Sequence, residues 1–438
     1  MKAVIMAGGK GTRLQDIAKD IPKPMVSFSG KPILEYQILN LKKYGLTDII
    51  IITGYLGYVI EEYFGDGDKF GVNISYIREE IPLGTCGALY YLKETLTENF
   101  ILLFGDIFID INFDLMINFH KKKKAQGTLL VHPNSHPYDS DLIVMDEDNR
   151  LTGWIRKNTP RDTDYANIVN AGIYVFSFEI LKNISKPEKM DLEKDLILSM
   201  INQNKPIFGY KTTEYVKDMG TPNRYLSVKA DFENGICSAR NLSNKQKCIF
   251  LDRDGTINVH KGFINKPELI ELYQEVPEAI RIINSSGYLC IVITNQPVIA
   301  RGECSSETLK LINNRIDTLL GEVGAYIDDL FYCPHHPDKG YEGEVPELKI
   351  SCECRKPGIG LILQAAEKYN IDLSKSWIIG DTTLDIMTGI NAEVKTCQVM
   401  TGEGGKDTKY KAKPDIIGEN LLDCVNIIMK EGMKFDRL

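Results

Sequence analysis

The 438-residue sequence has no run of eighteen apolar residues, the length a helix needs to cross a bilayer, so a membrane span is not expected. It has no excess of positive charge either. Its 60 acidic and 52 basic residues leave a formal net charge of −8, which argues against the broad basic footprint of a nucleic-acid-binding protein. Met1-Lys2-Ala3-Val4-Ile5-Met6 runs straight into a glycine-rich turn, leaving no room for the apolar stretch and cleavage site of a signal peptide. The expected location is therefore the cytoplasm. No internal repeat is found. Lys121 to Lys124 form a basic run, which reads as a solvated helix end. Without a secretion signal, the ten cysteines point away from disulfides and toward thiols or metal ligands. Cys86, Cys237, Cys248, Cys290, Cys304, Cys397 and Cys424 are scattered, whereas Cys333, Cys352 and Cys354 are grouped.

The remaining composition, 43% hydrophobic and 26% charged, is that of a globular protein too long for one core. Short apolar runs alternate with helical periodicity, predicting α/β architecture with mostly parallel sheets. Strands are expected at Ala3 to Met6, Asp48 to Thr53, Phe100 to Phe104, 127 to 132 and 168 to 176, with a helix through Leu34, Ile38 and Leu41. Periodicity lapses over 231 to 246, which reads as a linker between domains at 1 to 230 and 247 to 432. Cys248 to Leu251 then opens a second strand–loop–helix series, continued at Leu289 to Ile293 and Ser376 to Ile379.

In the first domain, the opening strand ends in Ala7-Gly8-Gly9-Lys10-Gly11-Thr12-Arg13-Leu14. Gly8, Gly9, Gly11 and Thr12 can bring backbone N–H groups close to phosphates, and Arg13 adds positive charge. Lys23, in Pro22-Lys23-Pro24-Met25, can place another cation beside the same site. Asp106 ends a strand in Phe104-Gly105-Asp106, at the sheet edge where open α/β folds bind ligands. With Asp218 it would supply hard oxygens for Mg²⁺ alongside a triphosphate.

These features resemble the sugar nucleotidyltransferases, and the resemblance covers roughly residues 1 to 230. Leu83-Gly84-Thr85-Cys86-Gly87-Ala88 is similar to a family segment near the base, and Asn170-Ala171-Gly172 to its sugar-contacting strand. Gly84, Asn170 and Gly172 are thereby implied in substrate binding. The resemblance also implies Lys157 on the sugar phosphate, although Ile155-Arg156-Lys157-Asn158 departs from the family's E-K-P. Glu193 falls where the family touches sugar hydroxyls. No hexapeptide β-helix is appended. Leu14 to Ile21 lacks the continuation seen in thymidylyltransferases and is closer to the heptose- and mannose-1-phosphate guanylyltransferases, which favours GTP. The implied reaction is attack of a sugar-1-phosphate oxygen on the α-phosphorus of a nucleoside triphosphate. The attacking group is already an anion, so alignment and charge neutralisation by Arg13, Lys23 and Mg²⁺ carry the catalysis.

In the second domain, Leu251-Asp252-Arg253-Asp254-Gly255-Thr256 places two aspartates after a strand, where they can converge on one phosphate as nucleophile and acid/base. Thr294 and Asn295, in Ile293-Thr294-Asn295-Gln296, offer polar contacts to phosphate. Lys356 supplies a cation, and Asp381, in Gly380-Asp381-Thr382-Thr383-Leu384-Asp385, a carboxylate for Mg²⁺. Cys333, Cys352 and Cys354 with His335 or His336 make a four-ligand set for a structural Zn²⁺ beside Arg355-Lys356.

This order of motifs resembles the haloacid dehalogenase superfamily. The C-x-H…C-x-C-R-K-P and D-R-D-G-T-I-N strings resemble its heptose-1,7-bisphosphate 7-phosphatase and histidinol-phosphatase branch, over about residues 246 to 430. The resemblance favours His335 as the imidazole. It implies Asp252 as nucleophile, Asp254 as acid/base, and Mg²⁺ on Asp252, Asp254 and Asp381. Asp385 would brace Lys356 or the metal shell, and Arg355 would reach a distal phosphate. Pro297-Val298 replaces the branch's usual Ser-Gly near the substrate entrance. Two Rossmann-like domains, the second with a zinc-binding loop, are thus expected to catalyse consecutive steps toward a GDP-heptose. The same two chemistries on another sugar phosphate form the alternative, and the chain is compatible with a homo-oligomer.

Overall fold

The computed structural model describes residues 1–9 and 21–435, and side chains as far as residue 431. It divides into two compact units. The first comprises Met1–His132, Asp141–Arg156 and Ile168–Asn241; the second comprises Pro133–Ser140, Lys157–Asn167 and the chain from Leu242 onward.

The first unit is built on a nine-stranded sheet. Asn73–Arg78, Asp48–Thr53, Ala3–Met6 and Phe100–Phe104 lie side by side in parallel. Ile49 and Ile51 enter one core cluster while Ile50 and Ile52 enter another, because successive side chains of a strand point to opposite faces. A continuous apolar run is what a strand covered on both faces requires, and full burial contributes about 2 kcal/mol for each such side chain. Helix Ile33–Lys43 covers one face through Leu34, Ile38 and Leu41, all fully buried.

Most ladders among the described residues are parallel, as expected, and the other half of this sheet holds antiparallel exceptions. Val169–Phe176 runs antiparallel to Phe100–Phe104, to Gly127–His132 and, at one pair, to Leu142–Met145. Strand periodicity reports which faces are buried, and both directions satisfy it. The stretch expected as a linker also differs. Helix Pro222–Glu233 runs into it, and Ile236–Ala239 forms a further short helix with Cys237 buried. Lys121, Lys122 and Lys123 form the last turn of helix Phe113–Lys123, where positive charge offsets the helix dipole.

The second unit has six parallel strands in the order Asp329–Cys333, Tyr288–Asn295, Lys247–Leu251, Trp377–Gly380, Lys395–Val399 and Ile416–Gly418. This is the doubly wound arrangement, with its switch of direction between the third and fourth of these strands. Ile249 and Leu251 pack into one core cluster, Cys248 and Phe250 into the other. Among the described residues, no helix is long and apolar enough to cross a membrane.

Candidate functional site

In the first unit, Ala3–Met6 delivers Ala7-Gly8-Gly9 to the carboxyl edge of the sheet, beside Phe100–Phe104. The Ala7 N–H donates to the Ile52 carbonyl at 2.8 Å. A Cβ on Gly8 would displace the Glu79 carboxylate, whereas one on Gly54 would press on the Gly8 backbone, so close approach excludes larger residues at Gly54. Glu79 was not singled out from the sequence. It accepts from the Leu83 N–H at 3.0 Å, and burial raises its pKa. Gly11, Thr12 and Arg13 lie outside the described residues.

Lys23 Nζ lies 3.3 Å from Asp106 Oδ2. Ile107–Asp110 pairs antiparallel with Tyr215–Asp218, which sets Asp218 opposite Ile107, and the Met219 N–H donates to the Asp106 carbonyl at 3.3 Å. The ladder therefore brings Asp106 and Asp218 to the same end. Asp218 accepts from Arg224 Nη1 at 2.6 Å and from the Gly220 N–H at 2.7 Å. Both carboxylates offer the hard oxygen donors that suit Mg²⁺.

Asn170 and Glu193, half-buried, form a polar group with the buried Tyr174. Asn170 Nδ2 donates to Glu193 Oε1 and to the Tyr174 hydroxyl oxygen, each at 2.7 Å, and the Tyr174 hydroxyl lies 3.2 Å from Glu193 Oε1. Burial raises the Glu193 pKa, with Asp141 and Asp191 adding to the effect. The strand pairing shifts register between Asn170 and Tyr174. Gly172 adopts φ +74° there, where a Cβ would meet the Phe104 ring. Gly84, at φ +78°, packs its backbone on Met190, while Thr85 Oγ1 accepts from the Leu192 N–H at 2.7 Å. Gly84 thus holds the segment that leads into Glu193. Lys157 lies in the segment Lys157–Asn167, which belongs to the second unit.

In the second unit, the adjacent strands Lys247–Leu251 and Trp377–Gly380 deliver Asp252 and Asp381 to one edge. Lys356 Nζ donates to Asp252 Oδ1 at 2.6 Å and to Asp385 Oδ1 at 2.5 Å. Asp385 also completes a capping box with Thr382 at the start of helix Thr383–Asn391, so one carboxylate fixes a helix and a cation together. Burial, opposed by Lys356 and reinforced by Asp385, pushes Asp252 up to about 7. Burial, reinforced by Asp252 and Asp385, pushes Asp381 up to about 8. Burial alone would lower Lys356, but Asp252 and Asp385 outweigh it and hold the ammonium above its ordinary range.

Two buried carboxylates thus bond one ammonium, and a third, Asp381, lies beside them. Oxygens of Asp252, Asp381 and Asp385 lie within 4.8 Å of one another, and Asp381 Oδ1 is buried without a hydrogen-bond partner. The excess negative charge and the unmet oxygen fit a divalent cation such as Mg²⁺. Gly255 and Gly402, both at positive φ, leave space for the Asp381 carboxylate that a Cβ would take.

Asp254 faces a different set of partners. Arg253 Nη2 approaches its Oδ2 at 2.8 Å, Gln296 Nε2 donates to Oδ2 at 2.9 Å and Asn258 Nδ2 to Oδ1 at 3.0 Å. Burial is outweighed by Arg253 and these hydrogen bonds, so the Asp254 carboxyl is held below the usual range. Thr294 Oγ1 accepts from Gln296 Nε2 at 2.9 Å. Asn295, expected on phosphate, instead bonds the backbone of Lys356. Arg253, Asn258 and Gln296 carried no assignment from sequence, although Asn258 and Gln296 sit inside the D-R-D-G-T-I-N and T-N-Q strings.

Cys333 closes strand Asp329–Cys333, and Cys352 and Cys354 approach it from a loop. The sulfur separations are 3.5 Å for Cys333–Cys352 and 3.3 Å for both Cys333–Cys354 and Cys352–Cys354. His335 Nδ1 lies 3.6 Å from Cys333 Sγ and 3.3 Å from Cys354 Sγ. The edges of a tetrahedral Zn²⁺ site are roughly 3.6–3.8 Å, so the quartet is within a few tenths of an ångström of closing on the ion. His336 turns away, with Nδ1 3.4 Å from the Asp338 carbonyl. Arg355 Nη1 donates to the His335 carbonyl at 3.0 Å, linking that side chain to the cluster.

Residues 2–235, more than half of the chain, match the nucleotidyl transferase family model, and residues 353–424 match a HAD-hydrolase-like model. Residues of the chain are 38% identical over 185 positions to a D-glycero-alpha-D-manno-heptose-1,7-bisphosphate 7-phosphatase from Photorhabdus laumondii, covering 42% of this chain and 98% of the relative. The chain belongs to the nucleotidyl transferase family and, through its second unit, to the HAD-like hydrolases. The nucleotidyl transferase portion is 31% identical over 236 residues to a mannose-1-phosphate guanylyltransferase from Mycobacterium tuberculosis, with 53% of this chain covered. The chain spans about 65% of the length of that relative. The crystal structure of HddC from Yersinia pseudotuberculosis is similar at 25% identity and a TM-score of 0.47, covering 53% of this chain and 99% of that one.

Proposed function

We propose that this chain catalyses two consecutive steps toward a nucleotide-activated heptose: removal of the 7-phosphate from a heptose 1,7-bisphosphate, then transfer of GMP from GTP to the resulting heptose 1-phosphate. One observation carries the reading: the Asp252–Lys356–Asp381–Asp385 group lies in a unit that aligns over 98% of a heptose bisphosphate phosphatase, in the same chain as a nucleotidyl transferase. A 7-phosphatase leaves a sugar 1-phosphate, and that is the acceptor a nucleotidyl transferase needs. We assign the transfer to residues 1–230 and the hydrolysis to residues 247–432, both in the cytoplasm.

In the hydrolytic step, the Asp252 carboxylate attacks phosphorus and the bond to the sugar oxygen breaks. A proton that Asp254 takes up from solvent or from the phosphate group before the attack passes to that oxygen. Water, deprotonated by Asp254, then splits the aspartyl phosphate and frees inorganic phosphate. Asp252, Asp381 and the Asp254 carbonyl would hold Mg²⁺, which offsets repulsion between carboxylate and phosphate. Lys356 adds a fixed positive charge beside Asp252. The Cys333–His335–Cys352–Cys354 set would hold a structural Zn²⁺.

In the transfer step, the phosphate oxygen of the sugar 1-phosphate attacks the α-phosphorus and pyrophosphate leaves. Arg13 and Lys23 would balance the triphosphate, Asp106 and Asp218 would hold a second Mg²⁺ to offset its charge, and Lys157 would secure the incoming phosphate. Asn170 and Glu193 meet the sugar.

A second reading, a mannose-1-phosphate guanylyltransferase joined to a sugar phosphatase, draws support from the mannose-1-phosphate guanylyltransferase relatives. One experiment tests both. The full chain is incubated with heptose 1,7-bisphosphate or mannose 1-phosphate and each nucleoside triphosphate, with phosphate and pyrophosphate followed separately. GDP-heptose formation is expected. GDP-mannose without GDP-heptose would favour the second reading and defeat the first.

A further inference from the structure

Arg253 lies between the two aspartates of the Asp252-Arg253-Asp254 string, and its side chain is completely shielded from solvent. Burying a guanidinium is costly unless its donors are matched, and here the matches are specific. Nη2 meets Asp254 Oδ2 at 2.8 Å and Oδ1 at 3.1 Å, while Nε lies 3.2 Å from both oxygens. On its far side, Nη1 donates to Asn313 Oδ1 at 3.2 Å and Nη2 to Gln296 Oε1 at 3.0 Å. Asp254, by contrast, keeps 21% of its side-chain surface exposed. The carboxylate is gripped from behind and open in front.

The guanidinium also sets the polarity of its neighbours. Arginine has donors only, so the Gln296 side chain must present its oxygen to Arg253. Its amide nitrogen is then turned to Asp254 Oδ2 at 2.9 Å and Thr294 Oγ1 at 2.9 Å. With Thr294 Oγ1 accepting that bond, its hydroxyl proton is left to point elsewhere. One buried cation thereby orders a carboxylate and, through one amide, a hydroxyl.

We propose that Arg253 is a positioning residue for phosphoryl transfer: it aims the Asp254 carboxylate at the leaving-group oxygen and, through Gln296, fixes the direction of the Thr294 hydroxyl. The inference rests on the phosphatase reading of this unit, but not on the identity of the sugar. A carboxyl that delivers a proton matters most when the leaving group is basic, and little when it departs readily as an anion. Loss of aim therefore has a signature that general loosening of the fold lacks.

The test uses the full chain with Mg²⁺ and a series of aryl phosphates running from p-nitrophenyl to phenyl phosphate. Arg253→Lys retains the charge but not the planar fork; Arg253→Met loses both. For phenyl phosphate kcat is expected to fall about 100-fold or more, and for p-nitrophenyl phosphate less than about tenfold, with KM within about threefold. The plot of log kcat against leaving-group basicity steepens for both variants. Gln296→Met, measured alongside, keeps the guanidinium and breaks the link to Thr294, so it supplies a milder variant should Arg253→Met fail to fold. Retention of zinc reports folding of the unit. An unchanged slope, whether activity falls uniformly or stays within about threefold of the parent, would overturn the proposal. Because the aryl series contains no sugar, failure of the parent enzyme on heptose bisphosphate would count against the substrate reading alone.

Discussion

Asn295 and Lys356 are joined by two reciprocal hydrogen bonds: the Lys356 N–H donates to Asn295 Oδ1 at 3.0 Å, and Asn295 Nδ2 donates to the Lys356 carbonyl at 3.3 Å. The side chain at the end of strand Tyr288–Asn295 therefore locks the backbone of the residue whose ammonium meets Asp252. The cysteine quartet abuts the same residue on its other side, through Cys354-Arg355-Lys356. Two independent restraints hold one cation in place.

Asn295→Ala removes the first restraint while leaving the ammonium present. The expected result is a fall of about tenfold or more in kcat/KM for phosphate release, since two hydrogen bonds of about 1 kcal/mol each are lost. Pyrophosphate release from a sugar 1-phosphate should stay at the parental rate. Parallel assays of the two products check this.

Cys352→Ser removes one thiolate from the four-ligand set. Zinc content, measured by atomic emission, is expected to fall below one ion per chain, together with phosphatase activity and the thermal stability of the second unit. Cys304, which lies outside the quartet, serves as the control: Cys304→Ser should retain both metal and activity. Full activity in zinc-free protein would show that the quartet has no structural role.

Glu193→Gln alters the polar group on the strand side of the first unit. Glu193 Oε1 accepts from both Asn170 and Tyr174, which an amide oxygen can still do, so the substitution removes the negative charge and replaces the free acceptor Oε2 with a donor. KM for the sugar 1-phosphate is expected to rise about tenfold, with KM for GTP unchanged, in initial-rate measurements with each substrate varied. An equal effect on both constants would place Glu193 outside the sugar site.

His120 gives a pH prediction independent of either reaction. It is buried on helix Phe113–Lys123, with Nδ1 2.9 Å from Thr128 Oγ1. Burial, helped by Lys121, lowers its pKa to about 4. The unfolded chain takes up the proton near pH 6.5 and the folded chain only near 4, so stability from this group is intact above pH 6.5 and drains away on acidification across that window. The loss approaches about 3 kcal/mol at its lower end. Denaturant titrations from pH 7 to 4 should show this slope in the parent and a flatter one in His120→Gln, which keeps a hydrogen-bonding side chain but does not titrate.

Much of this protein was legible from local sequence because its chemistry sits at strand ends. Asp106, Asp252, Thr294 and Asp381 each follow an apolar run, and a run that must be buried on both faces announces both the strand and the edge where it stops. The cysteine and histidine pairs were equally readable, since a tetrahedral ion needs ligands in tight pairs on opposing segments. Helix Ile33–Lys43 followed from its period.

Other features depended on residues far away in the chain. The antiparallel course of Val169–Phe176 was decided by its neighbours in the sheet, because burial patterns are blind to strand direction. Asn295 reads as a phosphate contact until Lys356, 61 positions later, folds against it. Arg253 reads as a spacer between two aspartates until Gln296 and Asn313 supply the other half of its hydrogen bonds. The sequence by itself determined which residue types reach the sheet edges. Tertiary structure decided which of them meet one another and which hold others in position, because a polar side chain's surroundings are set by the partners it meets and not by its neighbours along the chain.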